Sequence, residues 1–359
     1  MSQQKTYRLA FIGYGSMAGW HHKNVVERAP EFEVYGSYDI DPKRQEAAAE
    51  NGLRVYATAD ELLADPTIDV VTVATTNNFH ADYSIRALEA GKNVICEKPV
   101  TMDSAELLAV MDAQKRTGKH FAVHQNRRWD PDYLTVKRVL EEGTLGRLFQ
   151  IKSRVLGSRG VPEGWRTSPE AGGGMMLDWG VHLLDQILML IPERLSEVNC
   201  RMHHTHVKAV DDGFLCQLIF ESGLYVMVEV DTTCFVGEPR WHVRGDAGTL
   251  TIDDWDVNGR IVHARDMETI WEEEILYTAA GPTKTMAPRT RFSEEVLPLP
   301  VVREDWIDFY HNFAAVLDGR EKPLVLPEEN LFVMRVMEAA FESDRTRSTI
   351  PIDFTVGDR

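Results

Sequence analysis

Leu9-Ala10-Phe11-Ile12-Gly13-Tyr14-Gly15-Ser16-Met17-Ala18 is the stretch that decides the fold. Four apolar residues read as a short buried strand, a G-x-G-x-x-A loop follows, and the chain to about Arg28 reads as a helix. Gly13 permits the tight turn and Gly15 lets backbone approach a pyrophosphate. Ala18, in the third glycine's place, lets helix and strand pack closely. Phosphates would rest on the N-terminus of the helix, beside Tyr14, Ser16 and Met17. A second strand, Phe32–Tyr38, ends at Asp39, 24 residues beyond Gly15. A carboxylate there accepts hydrogen bonds from a ribose 2′-OH and repels a 2′-phosphate, which favours NAD over NADP. An acidic cap on the next helix is the competing reading, and Lys43 and Arg44 stand close by.

Helix and strand keep alternating outward from this unit, as a parallel sheet requires. Val70–Ala74 reads as a buried strand, Ala81–Ala90 as a helix closed by Gly91, and Asn93–Cys96 as the next strand. Helix Ser104–Thr117 and strand Phe121–Val123 complete a domain over 1–125. Thr75, Asn77 and His80 follow one strand, and Glu97-Lys98-Pro99 follows the next, so all arrive at the carboxyl edge of the sheet, where ligands gather.

A chain of 359 residues with 43% apolar composition is long enough for two domains. Its formal charge of −17, with no basic block, argues against nucleic acid and anionic membranes as partners. Cys96, Cys200, Cys216 and Cys234 show no framework spacing, and no signal-peptide core or transmembrane-length run is present. A soluble cytoplasmic protein is the expectation.

A second informative stretch is Gly172-Gly173-Gly174-Met175-Met176-Leu177-Asp178-Trp179-Gly180-Val181-His182. Three glycines cannot belong to a helix interior, where each costs about 1 kcal/mol relative to Ala. They read as a flexible approach to a ligand. Met175 to Leu190 then reads as a buried helix that places Asp178 and His182, at i and i+4, on one face. A carboxylate beside an imidazole fixes its tautomer and raises its basicity, as a general base requires. A buried histidine paired for structure alone explains the same residues equally well.

The loop at Gly13, the triplet Glu97-Lys98-Pro99 and the pattern Gly174-x-x-x-Asp178-x-Gly180-x-His182 together resemble the Gfo/Idh/MocA family (glucose–fructose oxidoreductase, inositol dehydrogenase, rhizopine catabolism). The resemblance runs from about residue 7 to 235; one departure is Thr76, where many members carry proline. It implies an α/β Rossmann domain plus an α+β domain with a large, mostly antiparallel open sheet over 126–359. It also implies a cis peptide at Lys98–Pro99. Lys98, Asp178 and His182 become the candidate catalytic residues, acting on a secondary hydroxyl of a pyranose, glycoside or cyclitol with NAD as hydride acceptor. C3 of a glucose-type ring comes first and inositol next. An NAD-dependent glycosidase and a non-catalytic cofactor-binding regulator are the alternatives on this fold.

Past a helix from Pro131 to about Glu142, strands are expected at Leu148–Val155, Val198–His206, Phe214–Phe220, Leu224–Val230, Trp241–Arg244 and Thr249–Ile252, with a hairpin turn at Glu221-Ser222-Gly223. Both alternating faces of the third and fourth of these are substantially apolar, which predicts that a second subunit covers the outer face in a homodimer or homotetramer. Arg127, Arg159, Trp165 and Arg166 are candidates to line a sugar pocket, since Trp stacks on a pyranose and Arg forks onto hydroxyls. His203-His204-Thr205-His206 invites a metal, but on a strand only His204 and His206 share a face, so no metal is expected. Residues 278–288 form a breaker-rich loop, and Glu304–Leu317 and Glu328–Phe341 read as closing helices.

Overall fold

Parallel strands joined by helices build the first layer of the molecule. A computed structural model describes residues 5–266, 275–283 and 291–356. The first unit runs β1 (Tyr7–Ile12), α1 (Ser16–Arg28), β2 (Phe32–Tyr38), α2 (Pro42–Glu50), β3 (Arg54–Val55), α3 (Ala59–Ala64), β4 (Val70–Val73), α4 (His80–Glu89), β5 (Asn93–Cys96), α5 (Ser104–Thr117) and β6 (Phe121–Val123). Its sheet has the order β3-β2-β1-β4-β5-β6, with every pair parallel. Strand order reverses between β1 and β4, and at that switch point the carboxyl ends of β1, β4 and β5 open together. β4 is buried at every position, as a central strand covered on both faces must be.

The second unit begins with α6 (Pro131–Glu141), β7 (Leu148–Leu156), α7 (Val181–Leu190), β8 (Leu195–His203), β9 (Gly213–Phe220) and β10 (Tyr225–Asp231). It continues with β11 (Trp241–Gly245), β12 (Gly248–Ile252), β13 (Gly259–Ala264), β14 (Leu276–Thr278), β15 (Gly281–Thr283), β16 (Glu294–Leu297), α8 (Asp308–Leu317), α9 (Pro327–Thr346) and β17 (Ile350–Pro351). Nine strands form one sheet in the order β16-β13-β12-β11-β7-β10-β9-β8-β17, antiparallel except between β7 and β10. The mostly antiparallel open sheet is therefore present, and β13 and β16 extend it into a region whose sequence carried little signal. Of the loop 278–288, residues 284–288 lie outside the described residues.

One expectation changes here. β8 ends at His203 and not His206, because the Asp212 carboxylate accepts the backbone N–H groups of Thr205, His206 and Val207 (2.9, 2.5 and 3.1 Å) and curls the chain away. No strand face therefore pairs His204 with His206. On β9 and β10 the inward residues Phe214, Cys216, Leu218, Val226 and Val228 are buried, whereas Leu215, Ile219, Tyr225 and Met227 on the other face are half-exposed among Gln217 and Glu229.

α8 returns to the first unit. Tyr310 lies against Phe32 and donates its hydroxyl to His21 Nδ1 (2.8 Å), and Tyr7 Oη donates to Asp318 (2.6 Å). No helix among the described residues is long and apolar enough to cross a membrane.

Candidate active site

The glycine loop is shaped by close contact. Gly13 has φ +87°, and a Cβ there would lie 2.5 Å from the Ala74 carbonyl oxygen, so only glycine lets β1 turn against the end of β4. Gly15, at the N-cap of α1, offers no side chain to its N–H groups, and no acidic residue stands in the first turn. Those donors and the helix dipole are left for an anion, with Ser16 and Met17 exposed beside them and Tyr14 buried. This local chemistry fits a dinucleotide pyrophosphate. Asp39 is buried; its Oδ2 accepts the Tyr14 N–H (2.6 Å), its Oδ1 accepts the Asp41 N–H (2.8 Å), and Arg44 lies 3.6 Å away. Asp41, rather than Asp39, caps α2 through the Lys43 N–H (3.0 Å). The Arg44 guanidinium also overhangs Gly15, 3.6 Å from where a Cβ would be.

Loops after β4 and β5 reach the same edge. The Thr75 side chain donates to the Thr76 carbonyl (3.1 Å). Asn77 is buried and donates to Gly172 O (2.7 Å), tying the first unit to the triglycine. His80 Nδ1 donates to Pro99 O (2.8 Å), and burial lowers its pKa. Lys98–Pro99 is cis. Glu97 faces inward: His21 Nε2 (2.6 Å) and His124 Nδ1 (2.9 Å) both donate to its Oε1. Burial pushes this carboxyl up, but the two imidazoles outweigh it and hold the group well below the usual range.

The triglycine is rigid and not a loose approach. Gly173 and Gly174 donate to Ser168 O and Arg166 O (2.9 and 3.0 Å), and a Cβ on Gly173 would meet the Arg166 carbonyl oxygen. Gly174 has φ +103°, and its Cβ would meet Asp211 Oδ1. The backbone approached so closely is the protein's own segment 166–168, which brings Arg166 to the site.

Asp178 and His182 do not pair. Between them the helix opens into a π turn over Met176–Gly180, in which the Val181 N–H reaches back to Met176 O. The extra residue in that turn breaks the i, i+4 alignment. Asp178 instead accepts from Lys98 Nζ on Oδ1 (3.0 Å) and from Arg166 Nε on Oδ2 (2.9 Å), and Lys98 also donates to the Asp178 carbonyl (2.9 Å). Burial raises the Asp178 carboxyl, but the two cations outweigh it and hold it below its usual value. His182 is 3% exposed, and its buried Nδ1 has no hydrogen-bond partner among the described residues. Burial first, then the Lys98 and Arg127 charges, push its pKa well below the usual value, so the ring is neutral near pH 7.

Of the other pocket candidates, Arg127 stacks 4.3 Å over the Trp179 ring and pairs with Asp130 (2.9 Å), and Trp165 lies under Arg166 at 4.5 Å. Arg159 is exposed. Sequence reasoning passed over Trp179, which sits inside the Asp178-to-His182 pattern, and Trp255, Arg240, His21 and His124, which become neighbours only in three dimensions. A cavity of about 680 Å³ lined by Lys137, Phe149, Met189 and Leu224 contains none of the site residues.

A dinucleotide loop at the switch point, facing a lysine–carboxylate pair contributed by two units, marks an NAD-binding oxidoreductase. Residues 7–125 match the oxidoreductase family NAD-binding Rossmann fold, and residues 133–251 match the GFO/IDH/MocA C-terminal domain. The chain belongs to the Gfo/Idh/MocA family. An NAD-binding protein from Listeria innocua has a crystal structure with TM-score 0.93 and 43% identity, covering 97% of this chain and 100% of that one. A scyllo-inositol 2-dehydrogenase (NADP(+)) of Bacillus subtilis is 26% identical across 97% of this chain and 96% of its own length. A 1,5-anhydro-D-fructose reductase of Ensifer adhaerens is 31% identical across 62% of this chain and 69% of its own.

Proposed function

We propose that this protein is an NAD-dependent dehydrogenase for a secondary hydroxyl of a pyranose sugar, glycoside or cyclitol, with C3 of a glucose-type ring as the first candidate. The observation that carries the reading is the Lys98–Asp178–Arg166 cluster beside a buried, neutral His182, at the edge of a sheet that carries a dinucleotide loop. Relatives named for inositol and anhydrofructose support a polyol substrate.

Gly13, Gly15, Ser16 and Met17 would hold the pyrophosphate and Asp39 the adenosine ribose. The bound nicotinamide supplies the hydride acceptor. His182 takes the hydroxyl proton as the carbon is oxidised, worth about 10²–10⁴-fold for a placed base. Lys98 stabilises the oxygen as negative charge develops, an interaction of roughly 2.7–4 kcal/mol for one well-placed donor. Asp178 holds the Lys98 ammonium in place, and Arg166 holds Asp178. Asp39 favours NAD by repelling a 2′-phosphate; Arg44 works against that preference.

Mass spectrometry of the cofactor released on denaturation, followed by a panel of hexoses, glycosides and inositols read at NADH absorbance, tests the proposal. Release of free sugar without NADH would favour the glycosidase reading, and no cofactor with no turnover would remove the dehydrogenase altogether.

A further inference from the structure

Beside His182 the site continues outward along an aromatic path that the chemistry above does not use. The Trp179 ring lies 5.9 Å from the His182 ring, and the Trp255 ring lies 5.9 Å beyond, tilted 42°. Trp255 is 47% exposed, far more than an aromatic of its size needs if packing were its purpose. The turn that carries it, between β12 and β13, is fully tied: Asp254 Oδ1 accepts the N–H groups of Asp256 (3.1 Å) and Asn258 (3.0 Å), and Asp253 N–H bonds Asn258 O (2.7 Å).

One side of the path is closed by cations. The Arg127 guanidinium lies 4.3 Å from the Trp179 ring and 5.2 Å from Trp255, and Arg240 lies 5.1 Å from Trp255. Arg240 is anchored by Ser153 (2.7 Å) and Gln186 (3.0 Å), and Arg127 by Asp130 (2.9 Å). Both tryptophans are therefore propped from behind, with a held ring offered to solvent next to the reacting position. Arg127 Nε is buried behind the rings and, among the described residues, has no hydrogen-bond partner. A flat, exposed aromatic face held beside the reacting position suits the apolar face of a sugar ring or an aryl group.

We propose that Trp179 and Trp255 form a second subsite, which takes the ring joined to the reacting pyranose, so that the substrates are glycosides rather than free monosaccharides or inositols. The assignment rests on the dehydrogenase reading of the adjoining site. Free monosaccharides and cyclitols end at His182 and leave the Trp255 face in water; a glycoside covers it.

The test compares D-glucose, D-galactose and D-mannose with their phenyl glycosides, on the unmutated protein, Trp255→Ala and Trp255→Phe. For the oxidised sugar, the glycoside should exceed the free hexose in kcat/KM by about tenfold, or about 1.4 kcal/mol, and mainly through KM. Trp255→Ala should remove that ratio, and Trp255→Phe should restore part of it. Calorimetric titration of the same phenyl glycoside should show weaker binding to Trp255→Ala. Equal kcat/KM for glycoside and hexose, or a loss on Trp255→Ala that falls equally on both, overturns the subsite while leaving the dehydrogenase intact. Turnover of none of the sugars, with calorimetric binding still dependent on Trp255, would overturn the dehydrogenase and keep the subsite. No binding overturns both.

Discussion

At the residue scale, the feature with most consequence is that His182 sits close to cations and away from its expected carboxylate. Buried near Lys98 and Arg127, the ring gives up its proton more readily than a free imidazole. The acid limb of kcat/KM in the oxidative direction should therefore fall below pH 6.5, with a flat profile through neutrality. A limb centred at or above pH 7 would show that another group is the base. His182→Ala should lower kcat by about 10²–10⁴-fold and leave NAD binding, measured by fluorescence titration, nearly intact. Normal turnover in that variant would remove the base. Asp39→Ala should narrow the preference for NAD over NADP, and should weaken both, since the Tyr14 N–H loses its acceptor. Equal kcat/KM for the two cofactors before mutation would argue against the ribose role. The motifs that carry Lys98, Asp178 and His182 could be read because three separated patterns share one order. Their pairing was not: the i, i+4 rule describes a regular helix, and nothing in Met176–Gly180 announces a π turn.

At the element scale, the triglycine and the turn it feeds act as one fitting. The Asp211 carbonyl and carboxylate accept the N–H groups of Met175 (3.1 Å) and Met176 (2.8 Å), starting the turn that aims Asp178 at Lys98. Gly174→Ala would press a methyl into Asp211 in a left-handed backbone, at a cost of about 1–3 kcal/mol in unfolding free energy. Urea unfolding with an unchanged midpoint, or kcat unaltered, would contradict this coupling. The first sheet was readable almost strand by strand, because buried parallel strands are short apolar runs punctuated by Gly, Asp and Pro. β13 and β16 were not, since Arg260, His263, Glu294 and Glu295 interrupt any period-two pattern on a sheet edge. Nor could composition separate rigid glycines from loose ones; what a Cβ on each of the three would meet lies five or more residues away in sequence.

For the whole molecule, pH and association give two checks. His80, His124 and His182 are fully buried, and burial lowers each pKa, so the unfolded chain takes up protons that the folded chain refuses. Stability then falls as pH drops below the unfolded histidine value of about 6.5. Asp211, raised to about 6 by burial, opposes this in part. Lowering pH from 7.5 to 6 should cost on the order of 2 kcal/mol, seen by calorimetry as a lower Tm; a constant Tm would contradict the buried neutral histidines. The half-exposed face of Leu215, Ile219, Tyr225 and Met227 should be covered by a second copy, giving a dimer or tetramer by light scattering. A fully active monomer at micromolar concentration would refute that.

The return of α8 to the first sheet has a consequence for how the chain is made. His21 and Phe32 leave the ribosome early, yet Tyr310, which covers them, is translated 187 residues after Val123 ends the sheet. At roughly 5–20 residues per second, that leaves the nascent dinucleotide half waiting roughly 10–40 s for this wall. Through that interval Phe32 and His21 lack the Tyr310 ring that covers them in the finished fold.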